Sequence, residues 1–154
     1  MPWTDLLDAG RVVLIEAPVD RGQVLEAAAR LLAGSPGAQA QALAGALKQR
    51  EQLASTAIGH GVAIPHARGG GPLARGAFLR LATPVDFGAR DGAPVNLVFA
   101  MTTPDDRPEL HLAHLAGVAE RLSDPEFRER LRAAPDLDRL RALLLPPASA
   151  ASAA

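Results

Sequence analysis

Short β-branched and apolar runs alternate along this chain with longer segments of helical periodicity. In 154 residues that alternation suggests a single α/β sheet covered by helices. Arg11-Val12-Val13-Leu14-Ile15 reads as a first strand that stops at Pro18. Asp20-Arg21-Gly22-Gln23 has the spacing of a capping box, after which Val24, Leu25, Ala28, Leu31 and Leu32 share one helical face until Gly34. A second helix is expected from about Ala38 into Gln52, with Leu43, Ala46, Leu47 and Leu53 as its apolar side and Arg50 and Glu51 at its C-terminal end. Further strands are expected at Val62 to Ile64, Ala77 to Leu81 and Val95 to Ala100, with the Gly69-Gly70-Gly71-Pro72 turn as a mobile connection.

After Pro104 the pattern turns helical. Asp106-Arg107-Pro108-Glu109 caps one helix, with Leu112, Leu115, Val118, Ala119 and Leu122 expected on its buried side. Asp124-Pro125-Glu126 starts the next, and Asp136 caps a last one that reaches Leu145. Residues 1–145 are expected to form one domain, and 146–154, small and without periodicity, a disordered tail.

Composition narrows the chemistry. There is no cysteine, which removes disulfides, iron–sulfur clusters, thiol nucleophiles and cysteine zinc sites. The 16 Lys and Arg against 17 Asp and Glu give a formal net charge of -1, without the basic excess of a nucleic-acid binder. Arg128, Arg130, Arg132, Arg139 and Arg141 are interleaved with Glu126, Glu129, Asp136 and Asp138, as on solvated helix faces. The N-terminus lacks the basic and apolar regions of a secretory signal, and no apolar run reaches the roughly 20 residues of a membrane span. A cytoplasmic protein without membrane insertion is expected.

The segment Gly59-His60-Gly61-Val62-Ala63-Ile64-Pro65-His66-Ala67-Arg68 carries the strongest chemical signal. Pro65 fixes its own φ and biases Ile64 toward an extended backbone, so the chain arriving at His66 has few ways to swing the imidazole. Gly59 and Gly61 permit close approach of another backbone or an anion. Imidazole is uncharged near neutral pH and forms a labile phosphorus–nitrogen bond, the two properties a phosphoryl acceptor needs. His111 sits in the first turns of the helix after Pro108, where the helix dipole favours a neutral ring and attracts an anion.

With Arg50-Glu51 upstream and Leu53-Ala54-Ser55-Thr56 between, this segment resembles the active-site signature of the fructose/mannitol-type (type 2) enzyme IIA domains of the bacterial phosphotransferase system. His111-Leu112-Ala113-His114-Leu115 looks like that family's second signature, in the register that selects His111 over His114. The resemblance runs from about Leu6 to Leu145 and implies a mixed, mainly parallel sheet sandwiched between helices. It implies that His66 accepts a phosphoryl group at Nε2 from an HPr-like carrier, with His111 as supporting histidine and no cofactor. Arg50 would add positive charge, Ser55 and Thr56 hydroxyl or backbone contacts, and His60 a hydrogen bond where most relatives place asparagine. The chain contains no linked IIB, IIC or HPr domain, so the reading is of a regulatory, nitrogen-related enzyme IIA whose acceptor is a target protein; the alternative is a sugar-specific form serving a IIB partner. Two readings from other classes stand beside these: a hydrolase whose metal is held by His60, His66, His111 and His114, and a binding module in which phosphorylation plays no part.

Overall fold

The computed structural model describes residues 3–68, 74–104 and 106–145. The triple-glycine turn and the tail from residue 146 lie outside them. Six strands form one mixed sheet: β1 (Val12–Ile15), β2 (Ala57–Gly59), β3 (Val62–Ala63), β4 (His66–Arg68), β5 (Arg75–Val85) and β6 (Val95–Thr103). Their order is β1-β5-β6-β3-β2, with β4 also paired to β6. The pairings β1/β5, β3/β6 and β4/β6 are parallel, whereas β2/β3 and the long central β5/β6 ladder are antiparallel. The expected mixed sheet is thus parallel in most of its pairings.

Helices cover both faces. α1 (Arg21–Ala33) and α2 (Ala38–Leu53) pack on one side, where Val24, Leu25, Ala28, Leu32, Leu43 and Leu47 meet Ala63, Leu79, Val98 and Ala100. α3 (Pro108–Leu122), α4 (Pro125–Ala133) and α5 (Leu137–Leu144) pack on the other, where Val118, Leu122, Phe127, Leu131 and Leu140 meet Ile64, Phe78, Leu97, Phe99 and Met101. From Leu97 to Met101 successive β6 residues alternate between these two cores, as the pleat requires of a strand buried on both faces. Among the described residues no helix is long and apolar enough to cross a membrane.

The local signals explain the elements. Asp20 and Gln23 make the full reciprocal capping box of α1, which ends at Gly34 with φ 88°. Asp124 and Asp136 cap α4 and α5 through their side chains. β3 and β4 run along the same edge of β6 and are parted only by Ile64-Pro65, because Pro65 has no N–H to donate. Its carbonyl still accepts from the Met101 N–H at 2.9 Å, so residues 62–68 track β6 as one extended line.

Several expectations need correction. β5 and β6 extend beyond Ala77 to Leu81 and Val95 to Ala100, and β2 and β4 were not expected. Leu53 and Leu112, assigned to buried faces, are 81% and 65% exposed. The inward stripe of α2 is Ala40, Leu43, Leu47 and Glu51, and that of α3 is His111, His114, Val118 and Leu122. Each keeps the helical spacing but runs into polar residues at the end that faces His66. α3 begins after Arg107 without a side-chain cap, so Asp106 does not cap it.

Candidate active site

His66 is the first residue of β4, opposite Met101 in the ladder. It is half-buried rather than fully exposed. Its Nδ1 lies 2.8 Å from the Ile64 carbonyl oxygen. A carbonyl only accepts, so Nδ1 carries the proton and Nε2 keeps its lone pair. The Ile64-Pro65 break between β3 and β4 thereby fixes both the ring and its tautomer.

His111 reaches the same place from the other side of the sheet edge. It is the fourth residue of α3, and its Nδ1 lies 2.8 Å from Thr103 Oγ1 at the end of β6. The two imidazole centroids are 5.2 Å apart with planes inclined by 52°. Both rings line an open depression of about 620 Å³ together with Arg50, Arg68, Leu53 and Leu112. The exposed leucines excluded from the core form part of its apolar wall.

The site keeps both histidines neutral. Burial is the main cause that lowers the pKa of His66, opposed by the Ile64 hydrogen bond; Arg50 lowers it further and Glu51 raises it. The His111 pKa falls to about 4, first through burial, then through the positive charges it would face on His66, Arg68, His114 and Arg50. Desolvation and neighbouring cations thus produce the neutrality expected from the helix dipole.

The other sequence candidates divide. Arg50 lines the depression, and its Nη1 donates to the Ala54 carbonyl at 2.8 Å, which folds the guanidinium over the end of α2. Ser55 and Thr56 are absent from its lining: Ser55 Oγ donates to the Phe87 carbonyl at 2.5 Å, and Thr56 is held by Glu51. His60 is not brought to the site either. It lies in the β2–β3 turn, exposed, at φ 57°. Val62 pairs with Leu97 and His66 with Met101, so the sheet separates His60 from the site by more than four strand residues, on the order of 13 Å. Gly59 and Gly61 have φ of 96° and 79° and serve that turn, approached by Asp91 and Arg132 rather than by a ligand at His66.

His114 is buried and is not among the residues that line the depression. The described residues contain no group of three or more His, Cys, Asp or Glu able to hold a metal ion. Thr103, which orients His111, escaped sequence reasoning because nothing in Met101-Thr102-Thr103 distinguishes it from an ordinary strand residue.

Comparison with known proteins agrees with this fold. Residues 5–145 match the sequence model of the family described as phosphoenolpyruvate-dependent sugar phosphotransferase system, EIIA 2. The chain is 38% identical to a nitrogen regulatory protein of Bradyrhizobium diazoefficiens, over 98% of this chain and 100% of that one. It is 40% identical to a nitrogen regulatory protein of Pseudomonas aeruginosa, over 88% of this chain and 89% of the other. The crystal structure of nitrogen regulatory protein IIA-Ntr from Neisseria meningitidis superimposes with a TM-score of 0.81 at 33% identity, covering 92% of this chain and 97% of that one. The chain therefore belongs to the type 2 enzyme IIA family of the phosphoenolpyruvate-dependent sugar phosphotransferase system.

Proposed function

We propose that this protein is a phosphohistidine carrier with a regulatory, nitrogen-related role, and that His66 Nε2 is its phosphoryl acceptor. The observation that carries the reading is the 2.8 Å contact between His66 Nδ1 and the Ile64 carbonyl, which leaves Nε2 unprotonated. Transfer forms an Nε2–P bond as the N–P bond of a phosphohistidine on an HPr-like donor breaks, and the donor imidazole leaves with the bonding electron pair. The Nδ1 proton stays in place, and the Ile64 carbonyl stabilises the positive charge that the ring gains.

His111 supports this step. With the Thr103 hydroxyl donating to its Nδ1, a neutral His111 carries its own proton on Nε2 and offers it to a phosphoryl oxygen. Arg50 and Arg68 add positive charge at the depression. Leu53 and Leu112 give an apolar rim against which a carrier docks briefly and leaves. Domain 1–145 is the working unit, acting in the cytoplasm without a cofactor. The nitrogen regulatory relatives, matched over nearly the whole chain, favour a target protein over a sugar-specific IIB domain as the party that responds.

The test is intact-mass spectrometry under non-acidifying conditions after incubation with phosphoenolpyruvate, enzyme I and an HPr-like carrier. One acid-labile phosphate is expected on the wild type and none on His66→Ala. Absence of phosphate on the wild type, beside a donor shown to be charged, refutes the carrier reading.

A further inference from the structure

Glu51 is a carboxylate in an apolar position. It is 4% exposed and continues the buried stripe of α2, where the three preceding members are Ala40, Leu43 and Leu47. No ion pair to it occurs among the described residues. Burying a carboxylate without a counter-charge is strongly unfavourable unless hydrogen bonds offset it. Closing a helix end does not require it, since Asn, Ser or a backbone turn serves.

The carboxylate oxygens are committed to one residue. Oε2 accepts the Thr56 N–H at 2.8 Å, and Oε1 accepts the Thr56 hydroxyl at 2.6 Å. Thr56 in turn presents its carbonyl to the Ile64 N–H at 3.0 Å. Ile64 presents its own carbonyl to His66 Nδ1 at 2.8 Å. An unbroken series of short hydrogen bonds therefore runs from a buried carboxylate to the proton-bearing nitrogen of His66.

We infer that Glu51 is a positioning residue for His66, holding the Ile64 carbonyl against Nδ1 through Thr56 and so keeping Nε2 unprotonated. The inference rests on the reading of His66 as phosphoryl acceptor, but its readout does not. At both Thr56 and Ile64 the N–H and the C=O belong to different peptide groups, so the series transmits position rather than conjugation. The charge of Glu51 acts separately, through space: it favours positive charge on His66, against burial and Arg50. The same field stabilises the ring as it becomes cationic during phosphoryl transfer.

Glu51→Gln separates these roles from a merely structural one. The amide keeps the shape, accepts from the Thr56 N–H and donates to its hydroxyl, but removes the charge. Long-range proton–nitrogen NMR correlation spectra of the full chain report the His66 tautomer and titration without any donor protein. In the wild type the proton is expected on Nδ1. In Glu51→Gln, which keeps the hydrogen bonds, the proton stays on Nδ1 and His66 titrates at lower pH; in Glu51→Leu, which removes them, the Nε2–H tautomer becomes populated and phosphoryl transfer slows about tenfold, the lower end of what outer partners of metal-ligating histidines contribute. Thr56→Ser in the wild-type background, which keeps both donors, gives the wild-type spectrum.

A Glu51→Leu spectrum with the wild-type His66 tautomer overturns the inference, whatever happens to stability. Should that variant not fold, Thr56→Val reads the same series with the charge retained: a mixed tautomer supports the inference and an unchanged one refutes it. A wild type that shows the Nδ1 proton yet takes no phosphate refutes the acceptor reading alone, and the variant spectra still decide the part played by Glu51.

Discussion

The imidazoles of His66 and His111 lie 5.2 Å apart, centroid to centroid, although one is carried by β4 and the other by α3. Neither ring touches the other through a nitrogen: each Nδ1 is taken by its own partner, the Ile64 carbonyl or the Thr103 hydroxyl. The two Nε2 atoms are the free chemical ends of the pair. With the Thr103 hydroxyl donating to His111 Nδ1, as proposed, one offers a lone pair and the other a proton, the complementary needs of an N–P bond and of its non-bridging oxygens.

Replacing His111 by Ala should therefore slow phosphoryl transfer to His66 by roughly 10²-fold, as loss of one preorganised donor does, without abolishing donor binding. His111→Gln, which returns an N–H of similar reach, should recover part of the loss. Single-turnover transfer rates beside a binding isotherm check both; an unchanged rate in His111→Ala contradicts the supporting role.

Acid should weaken the fold through the same histidines. Those at 66, 111 and 114 all have lowered folded pKa values, His111 down to about 4 from 6.5. Between these values the unfolded chain binds more protons than the folded one, so stability is fully present above about pH 6.5 and declines as pH falls toward 4. Denaturant midpoints measured across that window should show the decline. Phosphoryl transfer should persist below the ordinary histidine pKa, because His66 stays neutral to lower pH. A transfer rate that instead rises on acidification would show that the neutral ring is not the acceptor.

The fold was largely legible because its punctuation is local. Asp20 with Gln23, Asp124 and Asp136 each announce a helix start through their own side chains, and β1, β3, β5 and β6 all began as β-branched or apolar runs. What local pattern hid was polarity placed inside. Counting leucines put Leu53 and Leu112 in the core, yet the buried stripes run through Glu51, His111 and His114. Apolar periodicity reads those three as errors of phase, when two of them are the ends of helices turned toward the site. The role of Pro65 was readable from its fixed φ and its hold on Ile64. The grip of Thr103 on His111 was not, since it depends on a meeting of β6 with α3 that no sequence spacing encodes.

His114 is 1% exposed, and neither ring nitrogen has a hydrogen-bond partner among the described residues. A buried polar group left unpaired costs about 1–3 kcal/mol. His114→Phe, of comparable shape and without polar atoms, should raise unfolding free energy by about 1 kcal/mol and leave phosphoryl transfer unaltered. Loss of transfer as large as that in His111→Ala would reverse the assignment of the two histidines.

Leu53 of α2 and Leu112 of α3 both line the depression and are exposed in the free protein. Their exposure means that a charge at either position costs the fold little. Leu53→Asp and Leu112→Asp should each raise the donor concentration needed for half-maximal transfer about tenfold, with little change in melting temperature. A change in maximal rate without a change in half-saturation would place these residues in the chemistry rather than in docking.

Gly61 tests the separation of the two ends of the segment from Gly59 to Arg68. Its φ of 79° is one that side chains rarely adopt, and a Cβ built there meets the Arg132 guanidinium at 2.6 Å and the Pro94 carbonyl at 3.3 Å. The same guanidinium donates to the His60 carbonyl and to Asn96, so it cannot move aside without releasing the turn. Gly61→Ala should destabilise the protein by about 1–3 kcal/mol. The strain falls at the Leu97 end of β6, whereas His66 is fixed at the Met101 end by the Pro65 carbonyl and the Ile64 carbonyl. Transfer at saturating donor, measured well below the melting temperature, should therefore match the wild type. A fall in transfer out of proportion to the unfolded fraction would mean that the glycines act on the acceptor as well as on the turn, and that β3 passes strain along β6 to the imidazole.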